Sequence, residues 1–250
     1  MCFMGKFWDK IRGIREKRRP YCTAIVAAAG RSERMGGENK LFMDLAGMPV
    51  LMRTLRAIDA AELVDEIIVA TREDLMLEVA DLCNRAGLRK SVRVVQGGES
   101  RTASVLAAAV EANPQAELLA VHDGARPLIR PQEFDDLVRR GWATYAVAPA
   151  VPLTDTVKTA DANGRVTGTP DRSTMYAVRT PQVFQASILK AALQSALEAG
   201  AAVTDDCSAV ERLGKEVYLT QGDPENIKIT TPLDLTLAAA ILAGREHEGV

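Results

Sequence analysis

From Tyr21 onward the chain alternates short apolar, β-rich runs with stretches of helical spacing, and few architectures accept that order. CTAIVAA (22–28), DEIIVAT (65–71), SVRVVQ (91–96), ELLAVHD (117–123) and YAVAPA (145–150) read as strands, with helices over 49–60, 73–86, 101–112 and 131–141 between them. Such alternation predicts an α/β fold whose mostly parallel sheet carries helices on both faces. Strands that are apolar along their length, without polar alternation, fit a sheet covered on both sides. MYAVRT (175–180) reads as a return to the sheet, followed by helices over 186–199 and 205–213, a strand over 216–220 and a last helix over 232–243.

Two segments break the pattern. Residues 151–174 are polar and Thr-rich, and Asn163-Gly164 is a strong hairpin signal, so a projecting β-hairpin arm is expected over about 152–174. An isolated hairpin is only marginally stable, which makes a second copy of the chain the economical partner for it. Residues 1–20 hold seven Lys/Arg against two acids, with Phe3, Phe7, Ile11 and Ile14 at helical spacing. A basic amphipathic helix of this kind can touch a membrane surface or a partner, but a solvated extension is the favoured reading. Residues 1–20 are therefore taken as an extension and 21–250 as the domain.

Composition excludes several classes. A net charge of −2 leaves no electrostatic footprint for nucleic acid over the whole chain. Cys2, Cys22, Cys83 and Cys207 are scattered without metal-ligand spacing, as expected of reduced thiols in a cytoplasmic protein. Only two histidines, His122 and His247, are present, which argues against a zinc site and a histidine-based triad. No apolar run approaches the ~20 residues of a membrane span.

Polar and glycine-rich segments follow the strands, at the sheet edge where α/β proteins bind ligands. In AAAGRSERMGGENKLF the small residues Ala28, Ala29 and Gly30 let the backbone approach a phosphate, and Arg31, Arg34 and Lys40 add charge. The loop is neither a Walker A sequence nor GxGxxG. In VHDGARP (121–127), Asp123 suits an Mg²⁺ ion shared with nucleotide phosphates, Arg126 suits a phosphate or hydroxyl, and His122 reads as a satisfied, partly buried residue. QGGESRTASV (96–105) either admits a flat base against Gly97 and Gly98 or is a plain loop and helix cap; the segment alone does not choose. Thr204 reads as the N-cap of the helix beginning at 205, and Lys228 stands in GDPENIKITTP (222–232).

Together and in this order, these segments with TPQVF (180–184), TDDCSAVE (204–211) and the arm ending in DRS resemble the 2-C-methyl-D-erythritol 4-phosphate cytidylyltransferases of the non-mevalonate isoprenoid pathway. The resemblance implies a three-layer, Rossmann-like nucleotidyltransferase fold with a mixed sheet, Mg²⁺ dependence, and a homodimer joined through the arm. It implies that CTP and a sugar-alcohol phosphate react, with Arg34 and Lys40 stabilising the transition state and Arg172 and Lys228 orienting the sugar phosphate. Ala28, Ala29, Gly30, Gly98, Glu99 and Ser104 match positions that hold CTP, and Asp123, Arg126, Thr156 and Thr204 match positions lining the metal and polyol. The chain departs from the family pattern at Ala27, Glu33 and Asn39, and Glu33 beside Arg34 weakens the local attraction for phosphate.

The proposed nucleophile is itself a phosphate monoester, largely ionised at neutral pH with a second pKa of about 6, so no general base is required. The barrier is the meeting of two polyanions, and Arg34, Lys40, Arg126, Arg172 and Lys228 are expected to converge on it. Two rival readings stand beside this one: a cytidylyltransferase for another polyol phosphate such as ribitol 5-phosphate, and a nucleotide-binding protein without turnover.

Overall fold

The strand β1 (Cys22–Ala27) shows why the chain needs helices on both sides. Its alternate residues face opposite ways, Cys22, Ala24 and Val26 entering one apolar core and Ile25 another. The same division runs through β2 (Glu66–Thr71) and β4 (Leu118–Asp123), each buried at every position. One core is completed by α1 (Val50–Ala60), α2 (Met76–Arg85), α4 (Pro131–Thr144) and α7 (Pro232–His247). The other is completed by α3 (Arg101–Glu111), α5 (Ala186–Glu198) and α6 (Asp206–Arg212). These elements come from a computed structural model that describes residues 19–30 and 39–247. The expectations for residues 1–18, and for Arg31, Glu33 and Arg34, fall outside the described residues.

β1 pairs in parallel with β2 on one side and β4 on the other, and β2 pairs in parallel with β3 (Ser91–Gln96). The chain therefore builds outward through β2 and β3, then returns across β1 to β4. That reversal leaves a crevice between the carboxyl ends of β1 and β4, the favoured ligand position in such sheets.

Beyond β4 the sheet becomes mixed. Its order is β10-β5-β9-β4-β1-β2-β3, with β5 at Ala146–Pro152, β9 at Gln182–Gln185 and β10 at Tyr218–Gln221. β9 runs antiparallel to both β4 and β5, and β10 runs parallel to β5. The expected return to the sheet over 175–180 is β8 (Tyr176–Val178), paired antiparallel with β5, and a further strand, β9, takes the place between β5 and β4. A mixed, mostly parallel sheet between two helical layers is thus the fold.

The polar segment after β5 forms its own two-stranded ribbon, β6 (Thr159–Ala160) and β7 (Val166–Gly168). Its turn lies at the expected Asn163-Gly164, where Gly164 has a φ of +81° that a side chain would strain. The Asp161 carboxylate accepts from the backbone N–H groups of Asn163 and Arg165, each at 3.0 Å, and closes the turn. Val166 of this ribbon is exposed, as are Tyr176 and Val178 of β8 beside it, unlike the apolar residues of β1, β2 and β4.

Candidate active site

The carboxyl end of β1 continues into Ala28, Ala29 and Gly30, and this backbone is tied to its neighbours. The Ala28 N–H donates to the Ala70 carbonyl at 2.8 Å, and Thr71 accepts from the Gly97 N–H at 2.6 Å, so the first loop and the double-glycine loop share one support. A cavity of about 470 Å³ opens above them. Of the residues singled out in the sequence, Ala28, Ala29, Gly30, Lys40, Gly98, Glu99, Ser104, Asp123 and Lys228 line it, joined by Arg72 and Arg101.

Gly97 and Gly98 are required by the protein's own packing. A Cβ on Gly97 would lie 2.7 Å from Ser104 Oγ, and one on Gly98 would lie 2.5 Å from Ala103 Cβ. The close approach is therefore to α3, whose Arg101 and Ser104 line the cavity together with Gly98. Ser104 secures that approach: its hydroxyl accepts from the Gly98 N–H at 3.2 Å and donates to the Ser100 carbonyl at 2.8 Å.

Asp123, at the end of β4, is the electrostatic centre. Its Oδ2 lies 2.9 Å from Lys228 Nζ and 3.3 Å from Arg126 Nε, and its Oδ1 lies 3.9 Å from Arg101 Nη2. Burial alone would raise the pKa of this carboxyl, but Lys228, then Arg101 and Arg126, outweigh burial and hold it well below the usual carboxylate range. Asp123 is accordingly an anion across the neutral range.

Arg101 also faces Asp206, with Nη2 2.8 Å from Oδ2 in an ion pair across α3 and α6. Asp206 is 1% exposed, and its carboxylate oxygens have no aligned hydrogen-bond partner. Burial pushes its pKa up, and Arg101 opposes that shift. Burial likewise acts to lower the Arg101 pKa, yet Asp206 and Asp123 carry it upward, so the guanidinium stays charged.

His122 is fully buried, and both its ring nitrogens are engaged. Nε2 faces the Arg126 carbonyl at 3.1 Å and Nδ1 faces Thr180 Oγ1 at 3.1 Å. A carbonyl can only accept, so Nε2 carries the proton and Nδ1 accepts from the threonine hydroxyl. That hydroxyl in turn accepts from the Asp123 N–H at 3.1 Å. Burial lowers the His122 pKa to about 4, so the ring is neutral and serves to shape the 123–126 turn.

The other singled-out residues lie elsewhere. Arg126 does not line the cavity; its Nη1 donates to the Asn226 carbonyl at 2.8 Å while Nε holds Asp123. Thr204 is exposed and is not the helix cap, because Asp205 takes that role in a reciprocal capping box with Ser208. Thr156 and Arg172 are exposed on the arm, where Arg172 donates to the Thr154 carbonyl. None of these four faces the cavity of its own chain.

Arg101 and Asp206 were not singled out by sequence, although one signal was available. Arg101 begins a helix, where the helix dipole disfavours a cation, so a nearby carboxylate was needed to hold it. Among the described residues no three His, Cys, Asp or Glu side chains gather as a metal-holding group. One ionised carboxylate at the cavity still suits Mg²⁺, which is commonly held by one or two carboxylates plus substrate phosphates rather than by an all-protein cage. Among the described residues no helix is long and apolar enough to cross a membrane.

The family profile of 2-C-methyl-D-erythritol 4-phosphate cytidylyltransferase matches residues 22–244. The chain is 43% identical over 225 residues to the protein of that name from Parasynechococcus marenigrum, covering 90% of this chain and 99% of that one. It is 39% identical over 226 residues to the one from Caldanaerobacter subterraneus subsp. tengcongensis, covering 88% and 98%. Among solved structures it is similar to 4-diphosphocytidyl-2C-methyl-D-erythritol synthase from Anaerococcus prevotii, with a TM-score of 0.81, 31% identity, and coverage of 90% of this chain and 100% of that one. It is also similar to 2-C-methyl-D-erythritol 4-phosphate cytidylyltransferase from Thermus thermophilus, with a TM-score of 0.72, 27% identity, and coverage of 88% and 98%.

Proposed function

The chain belongs to the 2-C-methyl-D-erythritol 4-phosphate cytidylyltransferase family, and from that membership and the cavity we infer how it works. It transfers the cytidylyl group of CTP to 2-C-methyl-D-erythritol 4-phosphate, releasing pyrophosphate and giving 4-diphosphocytidyl-2-C-methyl-D-erythritol for non-mevalonate isoprenoid synthesis. A phosphate oxygen of the polyol substrate attacks the α-phosphorus of CTP, the bond to the β-phosphate oxygen breaks, and pyrophosphate leaves with its electron pair.

One observation carries the mechanism: Lys40, Arg101 and Lys228 face one cavity around the anionic Asp123, while the buried His122 is neutral and already engaged. That arrangement suits a reaction limited by charge rather than by proton removal. Lys40, with Arg34 on the same loop, stabilises charge on the α-phosphate and the leaving pyrophosphate. Lys228 draws the polyol phosphate toward the α-phosphorus. The Ala28–Gly30 backbone and the loop of Gly98 and Glu99 hold the nucleotide, and Ser104 keeps that second loop in shape. A divalent ion such as Mg²⁺, held by Asp123 and the triphosphate, supplies charge neutralisation when bound.

Thr156 and Arg172 are exposed on the arm and away from their own cavity. They are assigned to the site of a second copy, which makes the homodimer the catalytic unit. A cytoplasmic location agrees with use of CTP and with the free thiols of Cys22, Cys83 and Cys207.

Pyrophosphate release is the direct test. With CTP and Mg²⁺, release is expected with 2-C-methyl-D-erythritol 4-phosphate and is expected to be much slower with ribitol 5-phosphate. Equal or faster turnover of ribitol 5-phosphate would overturn the substrate assignment. Full activity in excess chelator would overturn the divalent-ion requirement.

A further inference from the structure

Lys228 stands in a segment, residues 222–231, that has neither helix nor strand. A lysine carries about 2 kcal/mol of rotamer entropy on a flexible stem, so an irregular segment that must aim one needs its backbone fixed by other means. Toward the cavity the fixings are those of the site itself. The Asn226 carbonyl accepts from Arg126 at 2.8 Å, and the Ile229 N–H donates to the Ala125 carbonyl at 2.8 Å.

A second set of contacts holds the same segment through residues that do not line the catalytic cavity. Arg130, at the start of α4, places Nε 3.2 Å from Asp223 Oδ2 and Nη2 2.9 Å from Glu225 Oε2. Arg245, in the last turn of α7, donates from Nε to the same Glu225 oxygen at 2.9 Å and from Nη1 to the Leu128 carbonyl at 3.0 Å. Its side chain is 14% exposed, so this is a half-buried network rather than a loose surface pair. The Asp223 N–H donates to Glu133 Oε1 at 3.1 Å, and Arg179 Nη1 donates to the Asp223 and Pro224 carbonyls at 3.1 and 3.0 Å. The helix that follows Lys228 thus returns through Arg245 to the residues that precede it.

We propose that Arg245 and Arg130, through Glu225 and Asp223, are positioning residues that set where Lys228 presents its ammonium group to the polyol phosphate. The proposal rests on the role given above to Lys228. A displacement of about 1 Å at a reacting group can cost on the order of a hundredfold in rate. Loss of Arg245 frees Glu225 from α7 while leaving the cavity lining intact.

The test is a double-mutant cycle of Arg245→Ala and Lys228→Ala, read as kcat and as KM for each substrate. Arg245→Ala is expected to lower kcat/KM for 2-C-methyl-D-erythritol 4-phosphate by about tenfold to a hundredfold while KM for CTP changes less than about twofold. In the Lys228→Ala background the same substitution is expected to have little further effect, because the residue it positions is gone. Arg245→Lys, which keeps the charge, is expected to recover part of the loss and also serves if Arg245→Ala folds poorly. Equal losses in both backgrounds, a matching rise in KM for CTP, or no loss from Arg245→Ala when Lys228→Ala is impaired would overturn the positioning role. An unimpaired Lys228→Ala enzyme would instead overturn the role of Lys228 on which it rests.

Discussion

Around Asp123, Arg101 and Arg126 are shared with the body of the protein, whereas on the arm Arg172 reaches, among the described residues, a neighbouring carbonyl. Arg101 is tied to the buried Asp206, Arg126 to the Asn226 carbonyl, and Lys228 to Asp123 itself. The arm ribbon consists of strands of two and three residues with exposed surfaces. The first region is preorganised because its charges are also structural contacts. The second can acquire a fixed place only against something else. Substitutions in the core region should therefore cost both stability and rate, and those on the arm should cost rate alone.

The largest effect is expected at Lys40, which faces the cavity from the first loop. Lys40→Ala should lower kcat by on the order of 10²–10³, the scale of losing one transition-state donor. Turnover kinetics with both substrates saturating measures this, and unchanged turnover would remove Lys40 from the mechanism.

Arg101→Ala comes next and tests the core side of the contrast. It leaves Asp206 buried without its cation, which should destabilise the fold by about 3 kcal/mol and lower the Tm by on the order of 10 °C. The burial that raises the Asp206 pKa limits this loss, because the carboxyl can take up a proton. Adding Asp206→Ala should restore much of the stability, since no unpaired charge then remains. It should not restore the rate. Thermal denaturation of the two variants beside their kcat values separates the structural contribution from the catalytic one.

This contrast also explains what the sequence made legible. Strands β1, β2 and β4 are readable because burial on both faces leaves their signature in the residues themselves. β9 was missed because it has four residues and begins and ends in glutamine. Gln182 is buried for a reason that lies far along the chain: it accepts from the N–H groups of Asp206 and Cys207 and donates to Asp205. The Ala28–Gly30 loop, Asp123 and Lys228 could be placed at one edge because each follows a recognisable element or belongs to a recognised segment. The Arg101–Asp206 pair joins residues more than a hundred positions apart: a cation at a helix start calls for a carboxylate, but nothing in the segment says which one. Arg126 shows the converse: its segment marked it for the site, but its guanidinium is occupied in joining Asp123 to Asn226.

The arm side of the contrast is tested by Arg172→Ala. An exposed substitution of this kind should change stability by no more than about 0.5 kcal/mol, while kcat/KM for the polyol phosphate falls by about tenfold to a hundredfold. If Arg172 serves a second copy, Lys40→Ala and Arg172→Ala subunits should complement each other. Random reassortment makes half the dimers mixed, and each mixed dimer has one intact site, so activity should return to about a quarter of the native value. No recovery after verified subunit exchange would place Arg172 outside a shared site.

The smallest effect should come from Gly164→Ala at the tip of the arm. An added Cβ there meets no atom within 4 Å, so the cost is purely that of a φ of +81°. Such strain is worth about 1 kcal/mol. In the main sheet that sum would be spread through a cooperative core, but here it falls on a two-stranded ribbon that is marginal by itself. The strain should therefore loosen the arm without moving the Tm by more than about a degree. An arm that must be ordered to complete a neighbour's site then loses about fivefold in kcat/KM for the polyol phosphate, the equivalent of 1 kcal/mol, with KM for CTP unchanged. A drop in Tm with no change in kcat/KM would mean that the arm is part of the core's stability after all, and the contrast between the two regions would fail.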